Sequence, residues 1–423
     1  MVENIKNERG ETSFNLACKS GQLKIVELLM KNHDIDLNAK TKYGNTAFCC
    51  ACFKGHADIV KILMKNAAFL RINLNTKNFN GQTAFFLACQ RGQLDVIKIF
   101  MEYAWFLNID LNAKTKKGNT AFLIACKKDY SYVVEVLMEN AAALNINLST
   151  KDNEGATAFH YACLNGDSHV VKIFMKNAVP LSIDLNIQNN NGSTAFHLVC
   201  LHGNTGLVKI FMENAAALRI DLNIKNNYGT TAFHWACQNG TSYLVKIFMD
   251  YAATHGIDLN RKDNNGFTGF HWACHDRNSK LIKIFMDSEY SNSIYLNRND
   301  NYGNTAFHYV CQRGKSGLVK IFMENAAALS IDLHMKNNCG MSGLDIASRN
   351  GCTDVVKIFC LMEKTSALSS IDLNKNGEDC WAGFHSVTKR LFRCGQDFHE
   401  ERICFGNWTG FHKACLFRCR LIP

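Results

Sequence analysis

Apolar residues recur along this chain with the spacing of short helices, and polar turns separate them. The segment from Asn190 to Lys225 shows the pattern clearly. A first short series has the spacing of the buried side of a helix, at Phe196, Leu198, Val199 and Cys200. A second, longer series also follows helical spacing, at Leu207, Val208, Ile210, Phe211, Met212, Ala215 and Leu218. Two successive helices are therefore predicted.

The residues between these series carry the signals of helix ends and turns. Thr194 can cap the first helix, and Gly203 can adopt the left-handed conformation that ends it. Asn204 or Thr205 can cap the second helix. The residues from Ile220 to Asn223 read as extended chain, and the residues 226–229 read as a turn. The segment is predicted to form a helix, a turn, a second helix and a hairpin.

This segment is one copy of a repeat. The motif TAFHxAC and its variants begin at ten positions, with a first interval of 34 residues and eight later intervals of 37: Thr12, Thr46, Thr83, Thr120, Thr157, Thr194, Thr231, Thr268, Thr305 and Ser342. A glycine stands two residues before each of these positions. One such helix pair cannot bury its own apolar faces, so the copies are expected to stack. With helix layers roughly 8 to 10 Å apart, ten repeats would extend on the order of 100 Å.

The turn glycine, the Thr-initiated helix with a His three residues on, and the later Val-Lys-Ile-Phe helix resemble the ankyrin repeat. The resemblance implies an all-α solenoid of stacked helix-turn-helix units with hairpin loops. We expect ten repeats over residues 1–374, and a divergent cap or a truncated repeat over 375–423. Ankyrin repeats usually have Pro after the capping Thr, whereas Ala, Gly or Ser stands there in this chain.

Nine repeats are also longer than the family's usual repeat of about 33 residues. We place the extra residues in the NAAAL stretch, as nearly one added turn on the second helix. Pro180 should end that turn early in its own repeat.

Composition narrows the functional classes. The chain has 47% apolar and 20% charged residues, a formal charge of +10 and 19 cysteines. The start of the sequence has no apolar region typical of a secretory signal, and no run of about 18 apolar residues occurs. We therefore expect a soluble intracellular protein, in the cytoplasm or the nucleus, with reduced thiols.

Two recurring residue types invite a chemical interpretation. A cysteine recurs in each of the first nine repeats, from Cys18 to Cys311, but stacked copies lie too far apart for a disulfide or a shared metal ion. We interpret these cysteines as small buried residues. Five repeats, from His160 to His308, carry the first-helix histidine. The resemblance implies that its ring bonds the backbone of the neighbouring hairpin. Four residues near the end of the sequence could also act as zinc ligands, an interpretation that we favour less: Cys404, His412, Cys415 and Cys419.

The residues at the end of the first helix and at the hairpin tips vary from repeat to repeat, whereas the residues of the repeated motif do not. The resemblance implies that these positions line the concave binding surface, although unconstrained loops vary in the same way. In the first four repeats they are basic, at Lys19, Lys42, Lys54, Arg91, Lys116, Lys117, Lys127 and Lys128. Later repeats show Leu164, Leu201, His202, Gln238 and His275 at the first-helix ends, with Tyr228 and Tyr302 at the tips. We expect this surface to bind a protein partner, with an acidic one at the first four repeats.

Three other interpretations remain open or are set aside. A lysine line along the second helix, from Lys61 to Lys357, would suit nucleic acid or anionic membrane, but such a line is more often a solvated face. The chain could also be the regulatory ankyrin region of a larger enzyme or channel. No signature of a catalytic or phosphate-binding motif is found, so we expect no enzyme activity, no small-molecule substrate and no cofactor.

The resemblance further implies that the hairpin asparagines Asn186 and Asn223 are candidates for hydroxylation. The identity of the partner, the pathway and the oligomeric state do not follow from the sequence.

Overall fold

The computed structural model describes residues 4–275, 279–287, 290 and 293–367. The segment 375–423 and the four candidate zinc ligands within it lie outside the described residues. The boundary placed at residue 374 therefore stays a prediction.

The described residues form ten successive helix pairs. The first helices span Ser13–Ser20, Ala47–Lys54, Ala84–Gln90, Ala121–Lys127, Ala158–Asn165, Ala195–His202, Ala232–Asn239, Gly269–His275, Ala306–Gln312 and Gly343–Arg349. The second helices span Leu23–Met30, Ala57–Lys65, Leu94–Tyr103, Ser131–Glu139, Ser168–Asn177, Thr205–Asn214, Ser242–His255, Ser279–Phe285, Ser316–Asn325 and Thr353–Ala367. One further short helix, Ala141–Leu144, follows the second helix of repeat four. The predicted all-α architecture of helix pairs and hairpin loops is confirmed.

These helix pairs belong to two compact bodies. The first body contains residues up to 306 together with 325–332. The second contains 307–324 and the described residues from 333 onward. The candidate binding residues all lie in the first body, which includes the first eight repeats.

Helix ends follow the caps expected from the sequence. Thr46 and Thr83 accept hydrogen bonds from the backbone N–H groups of Cys49 and Phe86, at 3.3 and 3.2 Å. Gly203 adopts φ +70°, in the left-handed region that glycine favours, and so ends its helix. Asn204, rather than Thr205, caps the following helix by accepting from Leu207 N–H at 3.0 Å.

The core of the first body is a series of phenylalanine rings shared between neighbouring repeats. Phe100 of a second helix lies 5.0 Å, between ring centroids, from Phe85 of its own repeat and 5.9 Å from Phe48 of the repeat before. Phe211 repeats the arrangement, at 4.9 Å from Phe196 and 5.8 Å from Phe159. Phe100 and Phe211 each bridge two layers, so burial of the apolar faces requires stacking. The predicted stacking is confirmed within this body.

The extra residues of the 37-residue repeats differ from expectation. They extend the second helix continuously only in Ser242–His255; in the other repeats of the first body that have them, the helix ends before them. There they form a separate turn, closed by an i to i+4 hydrogen bond such as Leu70 N–H to Asn66 C=O, 2.9 Å. A residue with positive φ ends this turn in most repeats, Arg71 and Arg219 among them.

The expectation for Pro180 was also wrong. Leu181 N–H still donates to Asn177 C=O at 3.0 Å, so the turn closes as it does elsewhere. Proline stands at a position whose N–H this turn does not use, and its missing donor therefore costs nothing.

Candidate partner-binding surface

The basic residues singled out in repeats one to four gather where the first helix ends. Lys19, Lys54 and Lys127 lie in the last turns of Ser13–Ser20, Ala47–Lys54 and Ala121–Lys127. Arg91 and Lys128 are the residues that cap Ala84–Gln90 and Ala121–Lys127. Each of these helices packs against the first helix of the next repeat. The five cations therefore form one edge of the stack, here called the basic edge.

Lys19 does not present a free charge on this edge. Its Nζ lies 2.6 Å from Glu11 Oε1, and the Glu11 side chain is only 8% exposed. The hydrogen bond from Lys19 holds the pKa of Glu11 below its usual range, with Asn7 adding a second bond. Lys19 and Glu11 thus neutralise each other.

Arg91 and Lys54 are exposed, but their surroundings differ. The Arg91 guanidinium carbon lies 4.2 Å above the centre of the Phe53 ring of the preceding repeat, which fixes the position of this cation. Lys54 has no opposite charge within 4.0 Å in the described part of the chain, and the same holds for exposed Lys128. These three residues supply the accessible charge of the basic edge.

Lys127 is held by the next repeat. Its Nζ donates to Tyr161 Oη at 3.0 Å and lies 4.2 Å from the centre of that ring. The Tyr161 hydroxyl in turn donates to Asp152 Oδ2 at 2.7 Å. Burial, followed by the bond to Asp152, raises the pKa of Tyr161 above its usual value. The network ties two repeats together, and Asp152 offsets the charge of Lys127.

The hairpin tips carry the other predicted cations. Lys42, Lys116 and Lys117 are exposed. Their positions are set by the backbone, since Lys42 N–H donates to Arg9 C=O and Lys116 N–H to Asn80 C=O, both at 3.0 Å. The tip side chains themselves project from a fixed frame of successive hairpins.

Aromatic residues also occupy the tips. Tyr228 and Tyr302 are 52% and 48% exposed. Tyr43 and Phe79, which sequence reasoning did not select, are 68% and 60% exposed at tips of the early repeats. Their signal was available in the sequence, because Tyr43 occupies the same repeat position as Tyr228.

In repeats five to seven the first-helix ends, at residues 164–165, 201–202 and 238–239, carry no Lys, Arg, Asp or Glu. The residues at the position of Lys19 and Lys127 become Leu164, Leu201, Gln238 and His275 in repeats five to eight. Leu201 remains 37% exposed, so an apolar group faces solvent where the early repeats place cations. Over repeats one to seven, the first-helix ends therefore divide into a basic part and an uncharged part.

Asn186 and Asn223 each make hydrogen bonds through both the nitrogen and the oxygen of the side-chain amide. Asn186 Nδ2 donates to Arg219 C=O at 2.9 Å, and its Oδ1 accepts from Asp221 N–H at 2.9 Å. Asn223 makes the same two bonds to Gly256 C=O and Asp258 N–H, at 2.8 and 3.0 Å. Both amides join one repeat to the next, and their hydroxylation stays a prediction.

The repeated histidine has the bracing position that the resemblance implied. His197 Nδ1 lies 3.1 Å from Thr194 N and accepts its hydrogen, so Nε2 carries the ring proton and donates to Thr230 C=O at 3.2 Å. Burial lowers the pKa of His197 to about 4, and that of His234 to about 4 as well. A neutral, fully bonded ring has neither a spare donor nor a partner acid for catalysis.

The repeated cysteines are buried, as expected. Cys89, Cys163 and Cys237 have no exposed surface or almost none. Burial raises the pKa of each thiol, which leaves them protonated and unreactive. Among the described residues, no group of three or more His, Cys, Asp or Glu side chains is arranged to hold a metal ion.

A comparison with protein-family models agrees with this architecture. The family model described as "Ankyrin repeats (3 copies)" matches residues 2–74, 67–148, 104–180, 144–221, 215–295 and 270–376. The crystal structure of the ankyrin repeat domain of Bcl-3, titled a unique member of the IkappaB protein family, is 20% identical in sequence. It covers 57% of this chain and 99% of its own length, with a TM-score of 0.48. A search of curated proteins found no match. No helix in the described ranges is long and apolar enough to cross a membrane.

Proposed function

This chain belongs to the ankyrin-repeat family, whose repeats are protein–protein interaction modules, and on that basis we propose that it is a non-catalytic scaffold or adaptor. Its partner is a protein with an acidic segment, which binds along the first-helix ends and hairpin tips of repeats one to four. The observation that supports an acidic partner is the basic edge, where exposed Lys54, Arg91 and Lys128 lie on successive repeats.

The length of the edge defines the kind of segment that fits. Four layers roughly 8 to 10 Å apart span roughly 24 to 30 Å, which corresponds to about 7 to 9 residues of extended polypeptide at about 3.3 Å each. Tip cations Lys42, Lys116 and Lys117 add charge along the same repeats. Opposite charges of this kind speed encounter and select partners, whereas aromatic and arginine anchors supply most of the affinity. We assign the anchoring role to Arg91 on Phe53, and to Tyr228 and Tyr302 where the partner extends beyond repeat four.

A labelled glutamate-rich peptide of about 12 residues provides a first test by fluorescence anisotropy at low salt. The triple variant Lys54→Glu, Arg91→Glu, Lys128→Glu should weaken binding by about 100-fold, because three attractive contacts become repulsive. The charge-matched control is Lys209→Glu, Lys246→Glu, Lys283→Glu, on the second helices, which should change the affinity less than about threefold.

Equal losses in both triple variants would show that only net charge matters and would contradict the assignment to this edge. Retained binding in the first variant would contradict it too. Crosslinking in cells followed by mass spectrometry then identifies the natural partner. Within that assay, Lys19→Met combined with Glu11→Gln is a second control, since it removes a matched pair of charges and leaves the net charge of the edge unchanged.

A second candidate function rests on the second-helix lysines. Six of them in the first body are exposed, and none has an acid within 4.0 Å in the described ranges: Lys61, Lys98, Lys172, Lys209, Lys246 and Lys283. Such a line suits nucleic acid or an anionic bilayer. Binding of a single-stranded RNA or of phosphatidylserine vesicles should then fall log-linearly with salt. No binding at low salt would remove this candidate.

Hydroxylation of Asn186 and Asn223 is proposed on family resemblance alone. Peptide mass spectrometry of the protein purified from its own cells should show these peptides heavier by one oxygen atom. Unmodified peptides at both positions would refute the proposal.

A further inference from the structure

A hairpin residue of repeat five pairs with a first-helix residue nine positions later. Asp152 Oδ1 accepts hydrogen bonds from the backbone N–H groups of Glu154 and Ala156, at 2.9 and 3.0 Å. Asp152 Oδ2 accepts from the Tyr161 hydroxyl at 2.7 Å. One carboxylate oxygen therefore holds the hairpin, and the other holds the side chain of the first helix.

Repeat eight has the same pairing, with a tryptophan in place of the tyrosine. Asp263 Oδ1 accepts from the backbone N–H groups of Asn265 and Phe267, both at 2.9 Å. Asp263 Oδ2 accepts from Trp272 Nε1–H at 3.2 Å. Asp263 and Trp272 are both buried, so this bond supplies the acceptor that a buried indole N–H needs.

Repeat seven breaks this pairing. Asn226 and Trp235 stand at the repeat positions of Asp263 and Trp272. Asn226 Oδ1 accepts from two backbone N–H groups of its own hairpin, at 2.9 and 3.1 Å, so Nδ2 takes the place of the second carboxylate oxygen. The amide nitrogen of Asn226 and the indole nitrogen of Trp235 are both donors. Neither can accept the hydrogen of the other.

Two buried side-chain atoms of repeat seven have no hydrogen-bond partner in the described part of the chain. They are Asn226 Nδ2 and Thr230 Oγ1, in residues that are 6% and 4% exposed. In repeat three, Asn78 Nδ2 at the position of Asn226 donates to Gln82 Oε1 and to Asn45 Oδ1, both at 2.9 Å. Buried donors without an acceptor destabilise a fold, and a break in an otherwise regular pairing is typical of a functional site.

Two aromatic residues beside these donors reach solvent. Tyr228, between Asn226 and Thr230 in the hairpin, is 52% exposed. Trp235 is half-buried, whereas its counterpart Trp272 is buried. None of these side chains in repeat seven carries a charge. Repeat seven thus combines hydrogen-bond donors, aromatic rings and neutrality.

We propose that Asn226, Thr230 and Trp235 bind the side-chain amide of a glutamine or asparagine in the protein partner. A carbonyl oxygen has two lone pairs, which the N–H groups of Asn226 and Trp235 satisfy together. The NH2 group of the same amide donates to Thr230 Oγ1. A carboxylate is a poorer fit, because it would be buried without a cation. The protein as source of the amide rests on the function proposed above, whereas the binding of an amide does not.

Propionamide, which carries the same amide group, tests the site on the full chain by NMR. Isotope labelling of tryptophan makes the indole N–H signals visible, and Trp235→Phe identifies the signal of Trp235. This signal should shift and saturate, with a Kd on the order of 10 mM for so small a ligand. The Trp272 signal should stay in place, because its N–H is bonded to Asp263. Propionate should bind at least about 10-fold more weakly.

Asn226→Asp copies repeat eight and should close the site. The new carboxylate should accept the Trp235 N–H, so the affinity for propionamide should fall at least about 10-fold. Hydrogen exchange of that N–H should slow by about 10-fold. Asn189→Asp is the matched control, because repeat six has Leu198, without a donor, where repeat seven has Trp235. This control should change neither the affinity nor the exchange.

A Trp235 signal that does not shift up to about 200 mM propionamide would overturn the proposal. Equal affinity in Asn226→Asp and the wild type would overturn it as well, and so would equal affinity for propionate. No protein partner enters these measurements, so their failure is distinguishable from failure of the basic edge to bind an acidic peptide.

Discussion

Ser149 interrupts a series of asparagines that link successive repeats. Elsewhere in this position an asparagine donates Nδ2–H to a carbonyl of the next repeat and accepts a backbone N–H two residues further on. The donor and carbonyl pairs, from 2.7 to 3.0 Å, are Asn4 with Asp34, Asn38 with Arg71, Asn75 with Asn108, Asn112 with Asn145, Asn186 with Arg219, Asn223 with Gly256, Asn260 with Ser293 and Asn297 with Ser330. At Ser149 the corresponding acceptor and donor are Ser182 C=O and Asp184 N–H.

The receiving loop already has the right conformation without the asparagine. Ser182 has φ +50°, against +53° at Arg219, where the linking bond is present. Asn186 N–H donates to Asp184 Oδ1 at 2.8 Å, the same local bond that Asn223 makes to Asp221. Ser149→Asn should therefore add two hydrogen bonds without moving the backbone. Each contributes about 0.5 to 1.5 kcal/mol net, and ordering the amide costs part of this, so we expect a gain of about 1 kcal/mol.

Hydrogen exchange is the most direct assay, because long repeat arrays need not unfold in one step. The amide of Asp184 should become more protected by about fivefold in Ser149→Asn, and urea unfolding should shift to higher urea. Ser149→Gln is the control, since its amide is one methylene too long. The converse change, Asn112→Ser, copies the natural break and should cost about 1 kcal/mol. Unchanged protection at Asp184 together with a neutral Asn112→Ser would refute the stabilising role of these bonds.

Two further predictions concern buried histidines and turn glycines. The folded-state pKa of His197 and of His234 lies near 4, below the unfolded value, so the unfolded chain binds more protons between about pH 6.5 and 4. The free energy of unfolding should therefore be highest above this pH window and fall as the pH drops through it, by up to about 3 kcal/mol for each ring. Urea unfolding at pH 7.5 and pH 5 measures this loss. The loss should be smaller in His197→Asn, and the same pH dependence in this variant would contradict the contribution of His197. Gly155→Ala should cost about 3 kcal/mol in the same measurement at pH 7.5, because Gly155 has φ +75° and an added Cβ would lie 2.6 Å from Asn190 N. Gly206→Ala, whose Cβ would meet no atom closer than 3.5 Å, should cost little, and equal costs would contradict the steric argument.

The helices could be predicted because their signals are local. Thr194, Gly203 and Asn204 act on backbone groups within a few residues, so the sequence alone places the ends they cap. Apolar spacing then identifies the buried faces, since a helical period is a property of a single segment. The histidine contact came from family resemblance, because its partner carbonyl lies 33 residues away.

The sequence alone did not show which cations of the basic edge are paired with another side chain and which are accessible. Lys19 and Lys54 look alike as lysines at a helix end, yet Lys19 is matched by Glu11, eight residues earlier, through the fold of its hairpin. Lys127 is held by Tyr161, 34 residues on. The error over the added helical turn has a similar origin: a separate turn ending in a left-handed residue satisfies the same backbone groups as a longer helix, and packing selects between them.

The sequence by itself determined the repeat, its helices, their caps and their buried faces, because these depend on contacts within one repeat and on a period that can be counted. Only the tertiary structure decided which charges are matched and which aromatic rings stay in solvent. Those properties depend on side chains of different repeats, which become neighbours only when the layers stack.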